Sequence, residues 1–164
     1  MDEATAKLMA ERSVWLSLQP FLDNEFANPQ TDPAGRAKQL EVFAGTDNAY
    51  KLAKKYKLKT AWGTDILFEP KRNATQGAQL ATLVRWYTSA EVLKMATSTN
   101  AELLALSGLR NPYPGKLGVV EEGALADLIL VNGDPLENMK FIEEPDTNFL
   151  IIMKDGKLFK NSVP

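Results

Sequence analysis

In the stretch Trp62-Gly63-Thr64-Asp65-Ile66-Leu67-Phe68-Glu69-Pro70, one carboxylate, Asp65, stands between a Gly-Thr pair and three large apolar residues. A carboxylate at the C-terminal mouth of a parallel strand is rigidly held, and beside a divalent metal it can both ligate the ion and orient a nucleophilic water. The bare triplet Gly-Thr-Asp also suits an ordinary turn or helix-cap aspartate, and alone it favours that reading. Glu3, Glu11, Glu25, Glu69, Glu121 and Glu122 could each supply a second carboxylate, but spacing selects none of them. Asp134, between Gly133 and Pro135, reads as turn chemistry, and Asp127 reads as a residue that introduces a strand.

What Asp65 can do is bounded by what the chain lacks. There is no histidine among the 164 residues, so imidazole acid/base catalysis, His-containing triads and His-ligated metals cannot be built from this chain alone. There is no cysteine either, which removes disulfides and thiolate metal sites. A hydrophobic share of 45%, a charged share of 24% and a formal charge of -2 are those of a globular protein, with no basic surplus to hold nucleic acid. The one basic run, Lys51 to Lys59, reads as a solvated helix face whose lysines complement the helix dipole. No apolar run approaches the roughly 18 residues of a membrane span, and no signal peptide is visible, so the cytoplasm is the default expectation.

The elements that must position Asp65 follow from periodicity and punctuation. Asp2 to Glu11 reads as an amphipathic helix with Ala6, Met9 and Ala10 on its apolar stripe, and Val14 to Leu18 as a strand ended by Pro20. Asp32-Pro33 is a helix start, and a helix should run from it to Lys57, with Gly45-Thr46-Asp47 as a point where it can break or kink. A short apolar segment, Thr60 to Gly63, leads to Asp65, and this helix and strand rhythm is that of β/α units with parallel strands. Asn73 to Trp86 is helical in pattern. Two successive capping boxes, Thr88 to Glu91 and Thr99 to Glu102, predict helices over 89–97 and 100–107. Beyond Pro114 the segments Leu117–Val120, Ala126–Val131, Phe149–Met153 and Lys157–Lys160 read as strands, the last two joined by a type I′ hairpin at Asp155-Gly156.

The C-terminal third carries an ordered motif: TSTNAELLAL, then GKLGVVEEGALADLILVNGDPLEN, then IIMKDGKL. Through Gly118, Val120, Gly123, Ala126, Asp127, Leu128, Gly133, Asp134, Pro135 and Leu136 it resembles the tail of the metal-dependent amidohydrolase superfamily, in its imidazolonepropionase-like and Xaa-Pro dipeptidase-like branch. The likeness extends upstream through the Gly-Thr-Asp segment and covers nearly the whole chain, the loop from Asn24 to Pro33 being its least diagnostic part.

The resemblance implies an α/β fold: the last two β/α units of a TIM-like (β/α)8 barrel over residues 1–110, followed by part of a small β-sandwich over 111–164. It implies that Asp65 ends the eighth barrel strand, where the family's aspartate ligates the metal and takes a proton from the attacking water. Gln19, Phe21, Ile66, Leu67 and Phe68, on the two loops at the barrel mouth, would contribute to the substrate pocket. The family's histidine ligands would all lie upstream of Met1, so the divalent metal, zinc by expectation, belongs to the complete enzyme and this chain alone should bind none.

Two function classes therefore compete. The first is the C-terminal part of a metal-dependent amidohydrolase acting on the C–N bond of an amide, a cyclic amide or a dipeptide, inactive by itself. The second is a non-catalytic interaction or assembly module derived from that family. In either case two strands cannot close an eight-stranded barrel, so the missing N-terminal barrel half or further copies of the chain are the expected partners at the exposed strand edges. Nucleic acid and membrane are not.

Overall fold

The first helix, α1 (Glu3–Glu11), begins where the Asp2 carboxylate accepts the Thr5 N–H at 2.8 Å, a bond that also holds the Asp2 pKa below its ordinary value. The computed structural model describes residues 1–24, 27–66 and 70–163. They divide into two units, Met1–Asp65 and Ile66–Pro164.

In the first unit, α1 stops in a Schellman motif: Ser13 takes φ +53°, its N–H donates to the Ala10 carbonyl and the Val14 N–H to the Met9 carbonyl. This reversal consumes Ser13 and Val14, so strand β1 is only Leu16–Leu18 and not the longer run expected from alternation. Helix α2 (Pro33–Lys55) starts as its sequence predicts, with the Asp32 carboxylate accepting the Gly35 N–H at 2.7 Å and proline in the first turn. It runs unbroken through Gly45-Thr46-Asp47. The Thr46 hydroxyl donates to the Val42 carbonyl at 3.0 Å, and Asp47 pairs with Lys51 one turn on at 2.5 Å, so glycine's cost is met within one continuous helix. Lys57 at φ +53° ends α2 as Ser13 ends α1, and strand β2 (Thr60–Trp62) comes next.

β1 and β2 pair in parallel, Leu16 opposite Thr60 and Leu18 opposite Trp62, with α2 as the crossover, which is the β/α arrangement expected. The buried face of α2 is Thr46, Ala49, Tyr50 and Ala53, at the i, i+3, i+4, i+7 spacing of one helical stripe. Ala6 of α1 is also fully buried. Across this helix pair the Met1 carbonyl accepts from the Asn48 side chain at 2.8 Å, and the Glu3 carboxylate accepts hydrogen bonds from Lys55 Nζ and the Tyr56 hydroxyl. Lys55 is the main cause of a lowered Glu3 pKa, and Glu3 in turn raises the pKa values of Lys55 and Tyr56.

The second unit opens with 3₁₀ turns, Pro70–Thr75 and Thr82–Arg85, flanking α3 (Gln76–Ala81), in place of the single helix expected over 73–86. A Cβ on Gly77 would lie 1.9 Å from the Ile142 carbonyl oxygen, so α3 packs backbone to backbone on the turn Met139–Ile142. Thr88 forms a complete capping box with Glu91 and starts α4 (Ser89–Lys94). The second capping box does not form: Thr99 has helical dihedrals, and α4 passes through a π turn, Met95–Thr99, straight into α5 (Asn100–Ala105). The Thr97 hydroxyl donates to the Leu93 carbonyl at 2.7 Å within this turn, and Gly118 lies against its outside.

Leu117–Val120 is not a strand. Gly118 takes φ +73°, which breaks extension, and the chain there contributes only an isolated bridge between Lys116 and Ala124. The remaining strands are as expected: β3 (Leu128–Val131), β4 (Phe149–Lys154) and β5 (Lys157–Asn161) form an antiparallel sheet in that order, with the short helix α6 (Pro145–Asn148) leading into β4. Asp155 and Gly156, at φ +50° and +73°, make the two-residue type I′ turn between β4 and β5. Leu128, Ile129, Leu130, Leu158 and Phe159 of this sheet are exposed, and adjacent residues of β3 face opposite sides, so both faces of the sheet carry uncovered apolar side chains. Among the described residues no helix is long and apolar enough to cross a membrane.

Candidate functional site

Because β1 and β2 run in parallel, their C-terminal ends, Leu18 and Trp62, lie on one edge, and each continues into a loop carrying expected site residues. After β1 the Phe21 N–H donates to the Gln19 carbonyl at 2.9 Å, a tight turn about Pro20. After β2 come Gly63, Thr64 and Asp65. A Cβ on Gly63 would meet Gln19 Nε2 at 3.9 Å, so the half-buried Gln19 side chain lies beside the Gly-Thr-Asp segment. Gln19 and the Asp65 loop are thus neighbours in space, brought together by α2 and the parallel pairing.

Asp65 is exposed and holds φ +51°, a left-handed conformation that aspartate tolerates better than most residues. Phe21 is 40% exposed, an apolar ring open at the same edge as Gln19. Ile66 is half-buried and begins the second unit, while Leu67 and Phe68 lie outside the described residues, as do Glu25 and Glu69.

Four other carboxylates have structural work. Glu3 is held by Lys55 and Tyr56, and Glu121 pairs with Lys116 at 2.5 Å. Asp127 accepts the Asp155 N–H at 2.7 Å and Asp134 accepts the Leu136 N–H at 2.8 Å, so these two motif aspartates fasten the β-hairpin and a turn. In the second unit a groove of about 400 Å³ beside the π turn is lined by Ser98, Glu102, Lys116 and Leu117 among others, and it assembles no group of metal ligands.

Two residues escape a reading of the sequence. Tyr50, fully buried on α2, donates its hydroxyl to the Leu18 carbonyl at 3.0 Å, immediately before Gln19. Its place in the stripe Thr46, Ala49, Tyr50, Ala53 is the signal that could have found it, since a buried tyrosine needs a partner for its hydroxyl. Arg36 reaches both oxygens of Asp23 at 2.6 and 2.7 Å and ties the segment after β1 to the first turn of α2, a contact over 13 positions that no local pattern announces.

The sequence profile of the amidohydrolase family matches residues 2–159. The chain belongs to the amidohydrolase family. Among solved structures, this amidohydrolase chain is similar over its full length to a crystal structure of an amidohydrolase, at 28% identity and a TM-score of 0.82, and it spans 38% of that protein. A prolidase complexed with N-methylphosphonate-L-proline is 26% identical, with a TM-score of 0.78, over 98% of this chain and 38% of its own. A Xaa-Pro dipeptidase with methionine bound in its active site is 26% identical, with a TM-score of 0.62, over 97% of this chain and 33% of its own. No curated protein matches significantly. The chain therefore spans 33% to 38% of the length of these relatives, which is consistent with a partial α/β fold.

Amidohydrolases are generally metal-dependent, so the donor set must be tested against a metal. Among the described residues no three of His, Cys, Asp and Glu are grouped to hold an ion, and histidine is absent from the whole sequence. A catalytic zinc usually takes three protein ligands. Asp65 is one exposed carboxylate, and the described residues do not assemble such a set around it.

Proposed function

We propose that the chain is the C-terminal part of a metal-dependent amidohydrolase that cleaves a C–N bond in a small amide, cyclic amide or dipeptide. The observation that carries this reading is the position of Asp65, three residues beyond the C-terminal end of a strand of a parallel β/α pair in a member of this family. Residues 1–110 are read as the last two barrel units with their succeeding helices, and 111–164 as part of a β-sandwich. The uncovered apolar faces of β3–β5 and the two open edges of β1–β2 support both assignments, since each needs more strands than the described residues supply.

In the complete protein Asp65 is one ligand of a divalent ion, zinc in this reading, which would supply a water that is nucleophilic near neutral pH. The part of Asp65 itself is to orient that water and to accept its proton on a carboxylate oxygen. Gln19 and Phe21 border the site from the neighbouring loop, Gln19 as a hydrogen-bonding amide and Phe21 as an apolar wall. The remaining ligands come from an upstream segment of the same protein or from a second chain, and the strand edges are where that partner joins.

The chain by itself is read as inactive. Purified alone, it should carry substoichiometric metal and leave N-acyl-proline, dipeptide and cyclic amide substrates intact, whereas the form completed by its partner should hydrolyse one of these classes in a chelator-sensitive way. Hydrolysis by the completed form that survives complete metal removal would sink the proposal.

A second reading, a non-catalytic interaction module, draws on the absence of histidine and of a three-donor group among the described residues. A completed form that binds stoichiometric metal and hydrolyses substrate would exclude it.

A further inference from the structure

We propose that Tyr50 is a positioning residue for the site edge: through the hydrogen bond from its hydroxyl to the Leu18 carbonyl it sets where Gln19 lies against the Asp65 loop. The importance of this edge rests on the function proposed above; the geometry of Tyr50 does not. Tyr50 is fully buried in α2 and its hydroxyl donates to the carbonyl oxygen of Leu18 at 3.0 Å. Leu18 is the last residue of β1, where strand pairing ends. The peptide unit is planar, so fixing the direction of the Leu18 C=O also fixes the Gln19 N–H and the Gln19 Cα, which share its plane.

From there the path is short. Gln19 turns at once, its carbonyl accepting the Phe21 N–H at 2.9 Å, and its side-chain nitrogen lies 3.9 Å from where a Gly63 Cβ would stand. Gly63 is two residues from Asp65. Packing alone would be served as well by phenylalanine. The hydroxyl adds a directed contact from the middle of the helix to the one peptide that launches the site loop, and it satisfies a donor that would be costly to bury unpaired.

The test uses Tyr50→Phe, which keeps the ring, and Gln19→Ala, with amide hydrogen exchange followed residue by residue in the intact protein as expressed. A purely structural tyrosine would make every amide of the first unit exchange faster by one common factor. A positioning tyrosine makes the amides of Gln19, Phe21 and Gly63 exchange about fivefold faster relative to that of Ala53 in α2, the factor expected for one net hydrogen bond. In the Gln19→Ala background the effect of Tyr50→Phe on Gly63 should vanish, because the side chain that relays it is gone. Uniform acceleration, no acceleration, or an effect on Gly63 that persists without the Gln19 side chain would each overturn the inference. No metal or turnover enters this readout, so failure of the hydrolase reading would show separately, as a complete protein without activity.

Discussion

Gly118 stands against the backbone of Thr97 so closely that a Cβ on it would lie 2.5 Å from the Thr97 carbonyl carbon. At φ +73° it also occupies a region that L side chains rarely adopt. One residue therefore meets two demands, and the π turn Met95–Thr99 is where the helix receives it. Gly118→Ala should destabilise the second unit by about 3 kcal/mol or more, from backbone strain together with overpacking against groups that cannot rotate away. Urea denaturation followed by near-ultraviolet dichroism measures it, and a loss under about 1 kcal/mol would contradict the contact as described.

The same helix offers a matched pair of threonines. The Thr88 hydroxyl accepts the Glu91 N–H at 3.3 Å, and Glu91 accepts the Thr88 N–H at 2.8 Å, whereas Thr99 lies within helical backbone and caps nothing. Thr88→Ala is expected to cost about 1 kcal/mol, the usual effect of losing an N-cap. Thr99→Ala should be smaller or slightly stabilising, since alanine is the better interior helix residue. Equal losses at the two sites would indicate that a second helix start exists at Thr99 after all.

Those threonines also show what can and cannot be read from a sequence. Local chemistry is legible where one conformation satisfies it: Asp32-Pro33, Thr88 with Glu91, and Asp155-Gly156 all sit as their residue types require. Thr99 to Glu102 has the same letters as a capping box, but Gly118, distant in sequence, packs against a continuous helix and not a fresh start. Leu117–Val120 looks like a strand for its apolar residues and is not one, because Gly118 turns left-handed to make that approach. The site is half legible. The two strands and their parallel pairing follow from local pattern and the β/α rhythm, and Asp65 is singled out by the motif downstream of it, while the contact of Gln19 with Gly63 and the bond from Tyr50 to Leu18 depend on a register that residue types do not encode.

Asp127 links the beginning of β3 to the hairpin beyond β4 through its bond from the Asp155 N–H. Asp127→Ala should lower stability by about 1.5–3 kcal/mol, as expected for a hydrogen bond to a charged group, and Asp127→Asn by less because an acceptor oxygen remains. Thermal unfolding of the two variants would order them; an asparagine variant as damaged as the alanine one would argue that charge and not the hydrogen bond is what matters.

The contact between α1 and α2 should depend on pH in both directions. The Glu3 pKa is lowered from its ordinary 4.5, chiefly by the hydrogen bond from Lys55, so its contribution is present above that value and is lost as pH falls through the folded value beneath it. Lys55 and Tyr56 are raised from 10.5 and 10.0, chiefly by Glu3, so their contribution is present below those values and is lost as pH rises through the folded values above them. Since all three groups are at the surface, the effect is local fraying of α1 and is weakened by salt. Carboxyl carbon shifts of Glu3 should give a titration midpoint below that of an exposed glutamate, and Glu3→Gln should abolish the acid-side fraying of α1. A midpoint at or above 4.5 would contradict the pairing.

The proposed role of Asp65, as ligand and proton acceptor at a metal centre completed from outside this chain, is open to a direct test. Metal content and hydrolysis should be measured together on the complete protein and on Asp65→Asn, which keeps the size of the side chain and removes its charge and basicity. The expected result is a fall in turnover of about 10²- to 10⁴-fold, the range for losing a positioned proton acceptor, with bound metal reduced and the fold unchanged by circular dichroism. An Asp65→Asn protein with full metal content and undiminished hydrolysis would contradict it.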